Sequence, residues 1–255
     1  MIIASCETGN CSWPIFPTLA TCGECTPVPV SSSCNQTSRM CNYTTDSGTL
    51  IEDPIDASDH SSFIVSPSNG TIHPIKSATR AYFSVFDMLS VGRLTDQTAL
   101  AVSGTECALW FCIRSYKVSV NEGKQNQTIV GDWSNTSLQH GNGFRGSEYV
   151  FVNIPEEFNA DNTTRYSVTN EAMIALRGFM ADVTSGTLHA DVNMLDYSSD
   201  WVEAMWNASD NPQDWIRSLA HSLTVEIREH GKTNGQATNR YNGAALHLAP
   251  VVKVQ

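Results

Sequence analysis

Charge is scarce in this chain, and positive charge scarcest of all. Of 255 residues only 16% are charged, well under the roughly 25% of an average soluble domain. Fifteen Lys and Arg stand against 26 Asp and Glu, for a formal net charge of −11. That balance leaves no basic patch in the sequence to neutralise a run of phosphates, which argues against nucleic acid and anionic membrane surfaces as partners. Long apolar runs are missing too. No window reaches 18 uninterrupted apolar residues, so the chain holds no membrane-spanning helix of its own. The opening Met1-Ile2-Ile3-Ala4-Ser5-Cys6 lacks both the basic and the apolar region of a signal peptide. Also absent are Gly-x-Ser-x-Gly, His-Glu-x-x-His, a Walker loop, a Gly-x-Gly-x-x-Gly fingerprint and an EF-hand loop. No local motif therefore specifies a reaction or a cofactor.

What the chain does have is cysteine and glycan acceptors. Six of its 8 cysteines lie in the first 41 residues (Cys6, Cys11, Cys22, Cys25, Cys34, Cys41), and Cys107 and Cys112 follow much later. Asn-x-Ser/Thr acceptors occur at Asn10, Asn35, Asn42, Asn69, Asn126, Asn135, Asn162 and Asn207, about double what chance placement gives. An even cysteine set beside dense acceptors points to an oxidising compartment, with N-glycans as surface partners. The expected location is the secretory pathway, at the exoplasmic face of a membrane or outside the cell. Since no targeting signal accompanies these features, the chain reads as an ectodomain fragment whose targeting or anchoring segments lie outside the given sequence.

With 41% hydrophobic residues the chain can bury one large core. Residues 1–45, rich in Cys, Pro, Ser and Thr, read as a cysteine-rich segment of loops and short strands, and 46–78 as a connecting region full of turn signals. The two divisions expected are thus 1–45, crosslinked to a main domain at 46–255, in one compact unit. Strands are predicted over 80–91, 107–120, 126–131, 147–154, 164–169 and 186–196. Helices are predicted over 171–181, over 200–207 with Asp200 and Glu203 as a capping box, and over 212–228 with Asn211 as cap and Pro212 at the first position. The fold class is therefore α+β: a mostly antiparallel β-sheet with two or three C-terminal helices and a disulfide-stapled N-terminal segment.

Strand geometry constrains the cysteines. Cys107 and Cys112 on one strand would be about 16 Å apart at roughly 3.3 Å per residue, whereas a disulfide needs Cα atoms within about 7 Å. They cannot bond each other there. Their odd spacing also puts them on opposite faces, Cys107 with Leu109, Phe111 and Ile113, Cys112 with Trp110 and Tyr116. Full oxidation then requires both to reach into the N-terminal six, leaving four cysteines for two local bridges. The rival reading is a four-thiolate zinc site from Cys22, Cys25, Cys107 and Cys112. Redox catalysis by Cys22-Gly23-Glu24-Cys25 lacks the strand-to-helix setting it needs, since Pro27 and Pro29 follow.

The segments CETGNCSWPIFPTLATCGEC at 6–25 and ECALWFCIRSYKVSV at 106–120 carry a resemblance. Cys6, Thr8, Gly9, Asn10, Cys11, Trp13, Cys22 and Cys25, then Glu106, Cys107, Ala108, Leu109, Cys112 and Tyr116, resemble the ectodomain pattern of a fungal membrane-protein family known only as domain-of-unknown-function family 3176. That resemblance implies membrane spans flanking the ectodomain, absent from this chain, and it lends no catalytic residue.

Three further groups hold polar or aromatic chemistry. His189, Asp191 and Asn193 alternate on one face of the predicted strand 186–196, and a hydrolase would centre on His189 and Asp191. The acidic run Glu52–His60 and the glycine-rich Gly141–Gly146 match no ion or phosphate loop. Trp201, Trp206 and Trp215 suit either a sugar-binding surface or the core. The leading expectation is a glycosylated, disulfide-bonded ectodomain of a fungal membrane protein, a recognition or structural module without catalysis, cofactor or metal, facing a protein or glycan ligand. The alternatives are a secreted hydrolase near His189 and Asp191, and a cysteine-ligated zinc protein.

Overall fold

In a computed structural model of the chain, described over residues 9–55, 60–68, 77–93, 100–140, 146–158, 165–191 and 194–230, the stretch 100–121 forms one 22-residue strand. Its run of Val, Ile, Trp, Phe and Tyr suits a pleated surface buried on both sides. In chain order the strands are β1 (Cys11–Ser12), β2 (Phe16–Val28), β3 (Val30–Asn35), β4 (Met40–Thr45), β5 (Leu50–Pro54), β6 (Ser61–Pro67), β7 (Ala81–Arg93), β8 (Leu100–Asn121), β9 (Lys124–Trp133), β10 (Thr136–Gln139), β11 (Glu148–Phe151), β12 (Ser167–Thr169), β13 (Gly186–Asp191) and β14 (Met194–Tyr197). The helices are α1 (Asn170–Val183), between β12 and β13, then α2 (Asp200–Asn207) and α3 (Pro212–His230).

β8 is the axis of an eight-stranded antiparallel sheet ordered β1-β8-β7-β6-β13-β14, with β2 and β9 also paired to β8. One edge of β8 takes β2, from Phe16↔Tyr116 to Val28↔Gly104. The other takes β7 and then β9. Two three-stranded sheets, β3-β4-β5 and β10-β11-β12, complete the strands. The architecture is thus α+β, mostly antiparallel, with disulfide-bonded cysteines near the N-terminus, as expected.

Several local expectations are corrected. The central strand begins at residue 100 rather than 107. The single strand expected over 186–196 is a hairpin, with β13 and β14 antiparallel and Asp191 opposite Met194. Ser199, not Asp200, caps α2: its side chain accepts from the Val202 amide, because Ser199 stands in extended backbone while Asp200 is already helical. Asn211 does cap α3, its Oδ1 accepting from the Asp214 amide. The expected connecting region contains β5 and β6. Residue 45 ends β4, inside the three-stranded sheet that β5 completes.

β2, 13 residues long, stands where loops and short strands were expected, and its backbone explains why. Phe16–Val28 contains Pro17, Gly23 and Pro27, which ordinarily argue against a strand. The odd-numbered residues of β2 turn their N–H and C=O groups away from β8, as shown by the Thr21 and Cys25 amides, which donate instead to Thr224 Oγ1 at 3.0 Å and Gln213 Oε1 at 2.8 Å. Both prolines occupy odd positions, where no ladder hydrogen bond is lost. Gly23 is needed for packing: a Cβ there would lie 2.8 Å from Leu109 Cδ2 and 3.0 Å from Ile216 Cγ1.

α3 lies along β2 and satisfies that outer edge with side chains. Thr224, fully buried, accepts from the Thr21 amide and donates to the Thr21 or Ala220 carbonyl, and Thr21 Oγ1 donates to the Ala220 carbonyl at 2.5 Å. An edge strand is a template for unwanted pairing, and here a helix covers it.

The main core joins the odd face of β8 (Cys107, Leu109, Phe111, Ile113) to Met173 and Met180 of α1, Val202 and Met205 of α2, and Ile216 of α3. On the even face a smaller cluster holds Ala20, Cys22, Ala108, Trp110 and Cys112. Both faces of the strand are therefore buried, with Cys107 and Cys112 on opposite ones as expected. The β3-β4-β5 sheet is pinned to the main one at Asp87 of β7, a fully buried carboxylate. Its Oδ2 accepts from Thr45 Oγ1 at 2.7 Å, Thr49 Oγ1 at 3.0 Å and Ser47 Oγ.

Candidate functional site

The disulfides follow the strand parity. Cys25–Cys107 joins residues directly opposite each other, with Cα atoms 4.1 Å apart, and Cys22–Cys112 crosses the same strand pair diagonally at 5.9 Å. Because Cys22 and Cys25 are three apart and Cys107 and Cys112 five apart, each strand carries one cysteine per face, and the bridges clamp β2 to β8 from both sides. This is the predicted arrangement of two links from the N-terminal cysteines to the central strand. Cys34–Cys41 closes the β3–β4 hairpin. Cys11 is also disulfide-bonded, to a partner outside the described residues, among which Cys6 is not included. Zinc ligation by Cys22, Cys25, Cys107 and Cys112 needs four thiolates, and sulfurs paired in this way supply none.

A polar constellation lies where β5 meets β6 and β13. Asp53 of β5 and Ser62 of β6 are buried, and His189 of β13 stands opposite Ser62 in register. Ser62 Oγ donates to Asp53 Oδ1 at 3.2 Å, and His60 Nε2 lies 3.0 Å from Ser62 Oγ and 3.3 Å from Asp53 Oδ1. The His60 and His189 rings stack, with centroids 6.4 Å apart and an interplanar angle of 27°. Burial first, and the Asp53 charge second, raises the pKa of Tyr43 on the neighbouring strand β4.

Serine, histidine and aspartate thus come together, but not in the order of a nucleophile relay. A relay needs the serine on one ring nitrogen and the carboxylate on the other. Here both contact Nε2, and the serine proton is directed to the carboxylate. What the arrangement can do is tie β5 to β6, with the exposed His189 of β13 stacked beside it.

Of the expected three-residue polar stripe, His189 lies within β13 and Asp191 ends it, and Asn193 lies outside the described residues. Sequence reasoning missed Asp53, His60 and Ser62. Asp53-Pro54 reads locally as a turn, and nothing in the spacing brings it to Ser62. Trp206 and Trp215 pack edge-on against Phe63 at 5.5 Å and Phe86 at 6.4 Å, which is core packing, while Trp201 is exposed. Residues 56–59 of the acidic run and 141–145 of the glycine-rich one lie outside the described residues.

Of the glycan acceptors, Asn10, Asn35, Asn42, Asn126 and Asn207 are exposed and Asn135 is half-buried. Asn69 and Asn162 lie outside the described residues. Among the described residues no group of three or more His, Cys, Asp and Glu side chains is placed to hold a metal ion, and no helix is long and apolar enough to cross a membrane. No family model matches the chain, and neither does any curated protein or solved structure.

Proposed function

We propose that this chain is the glycosylated, disulfide-bonded ectodomain of a fungal membrane protein, serving as a recognition or structural module and not as an enzyme. The observation that carries the reading is the double clamp of Cys22–Cys112 and Cys25–Cys107 across β2 and β8. Bridges buried in the centre of a sheet suit a domain that folds in an oxidising compartment and persists outside the cell. The residues of the clamp are also those that carry the resemblance to the fungal membrane-protein family, which supports membrane attachment through flanking segments.

Exposed acceptor asparagines on β4, β9 and α2 support N-glycosylation. The polar cluster of His60, Asp53 and Ser62 favours a structural role over acyl transfer, since its serine proton is already committed. Expression through a eukaryotic secretory pathway tests the reading in two steps. Denatured, unreduced protein should show no free thiols by Ellman titration, and eight would overturn it. Digestion with an N-glycosidase should increase gel mobility, and unchanged mobility would remove the glycosylated part of the proposal.

A further inference from the structure

Six buried side-chain nitrogen or oxygen atoms among the described residues have no hydrogen-bond partner, and five of them belong to one cluster: Arg228 Nε, Nη1 and Nη2, Arg114 Nε and Tyr116 Oη. Arg228, on α3, has its guanidinium carbon 3.9 Å from the centroid of the Tyr116 ring, over the ring face. Arg114, two residues before Tyr116 on β8, directs Nη2 to Cys22 Sγ at 3.1 Å, a weak acceptor, and lies 3.7 Å from the half-exposed carboxylate of Asp132. Arg228 is 7% exposed and Tyr116 1%. Burial first lowers the pKa of Arg228, Tyr116 opposes that shift, and the positive charge of Arg114 adds to it. In a chain of net charge −11, two cations thus share an interior site with acceptors for few of their donors.

A buried guanidinium without acceptors is among the costliest arrangements in a fold. Water could accept from these donors but would leave two like charges side by side. An anion answers both demands. The guanidinium fork matches two oxygens of one acid group, and the Tyr116 hydroxyl supplies a third kind of donor. We propose that Arg228, Arg114 and Tyr116 form a binding site for a small oxyanion (phosphate, sulfate or a free carboxylate) between α3 and β8. The unpartnered donors have no exposed surface, so an anion bound there is desolvated. The site is independent of the role proposed for the whole chain.

The test uses the full purified chain and inorganic phosphate at constant ionic strength, with chloride as the balancing anion. Wild-type protein should broaden the phosphate 31P resonance saturably, acetate should displace phosphate, and chloride should not. At ten times the dissociation constant, phosphate should raise the folding equilibrium constant about 11-fold. Arg228→Met should abolish both effects; if that variant fails to fold, Arg114→Met and Tyr116→Phe should each weaken the broadening. An unaffected phosphate signal, equal displacement by chloride, or undiminished broadening by whichever variants fold would overturn the proposal.

Discussion

Asp87 shows how much one side chain can hold. A carboxylate removed from water must be compensated by donors, and three hydroxyls of the β4–β5 turn provide them on one oxygen. Asp87→Ala should cost about 2–3 kcal/mol, read as a lower urea midpoint with unchanged slope, and amide exchange should accelerate first in β3–β5. His221 gives a pH prediction. It stands on the exposed side of α3, and its pKa is lowered, first by partial burial and then by surrounding positive charge that includes Arg228 and Arg114. A lowered histidine pKa means that the unfolded chain binds the proton more readily. The associated stability is present above the unfolded value near 6.5 and declines as pH falls below it. His221→Gln should flatten that decline between about pH 6.5 and 5, as followed by denaturant midpoints. Little of this scale was legible in the sequence. Asp53 and Ser62, or Arg228 and Tyr116, meet only because separate elements pack, and neither pair leaves a mark in local spacing.

Secondary-structure elements were more legible where periodicity was strong. Cys107 and Cys112 could be assigned to opposite faces because a strand has a period of two and their spacing is odd. All three helices are legible in the sequence, α3 with its Asn211 cap, whereas the caps of α1 and α2 are Thr169 and Ser199. β2 was not found, since Pro17, Gly23 and Pro27 mimic loop chemistry; whether a proline spoils a strand depends on which way its nitrogen faces, and only the partner strand decides that. The hairpin of β13 and β14 looks like one strand in the sequence because polar and apolar residues alternate without a break from 188 to 194. Edge covering by α3 yields a prediction at this scale. Thr224→Val keeps the shape but removes the partner of the Thr21 amide and carbonyl, and should cost about 1–3 kcal/mol. A matched Ser222→Ala change, at an exposed hydroxyl of the same helix, should cost under about 0.5 kcal/mol. Thermal denaturation of the two variants checks the contrast.

For the molecule as a whole, the two bridges between β2 and β8 do the same topological work, so their contributions cannot add simply. Removing one as a Ser pair leaves the other holding the strands, and the loop it then fails to close is only about 10 residues, worth roughly 2.7 kcal/mol in the chain-entropy model. Removing both releases the separations of 82 and 90 residues, and the joint loss should be roughly 7 kcal/mol. The expected result is a double loss exceeding the sum of the single ones, measured by guanidinium denaturation of the four members of the cycle. Near-additive losses would mean that the strands stay paired in the denatured state.

The same clamp makes a covalent ring of the polypeptide. Everything from Cys25 to Cys107, including the whole of β3 to β7, is a closed circuit with the rest of the chain attached at one buried seam. A single proteolytic cut anywhere between residues 26 and 106 opens the circuit without releasing a fragment. Nicked molecules should run as one species on a non-reducing gel and as two on a reducing one, so damage to the surface turns of this region would be tolerated as scars and not as losses.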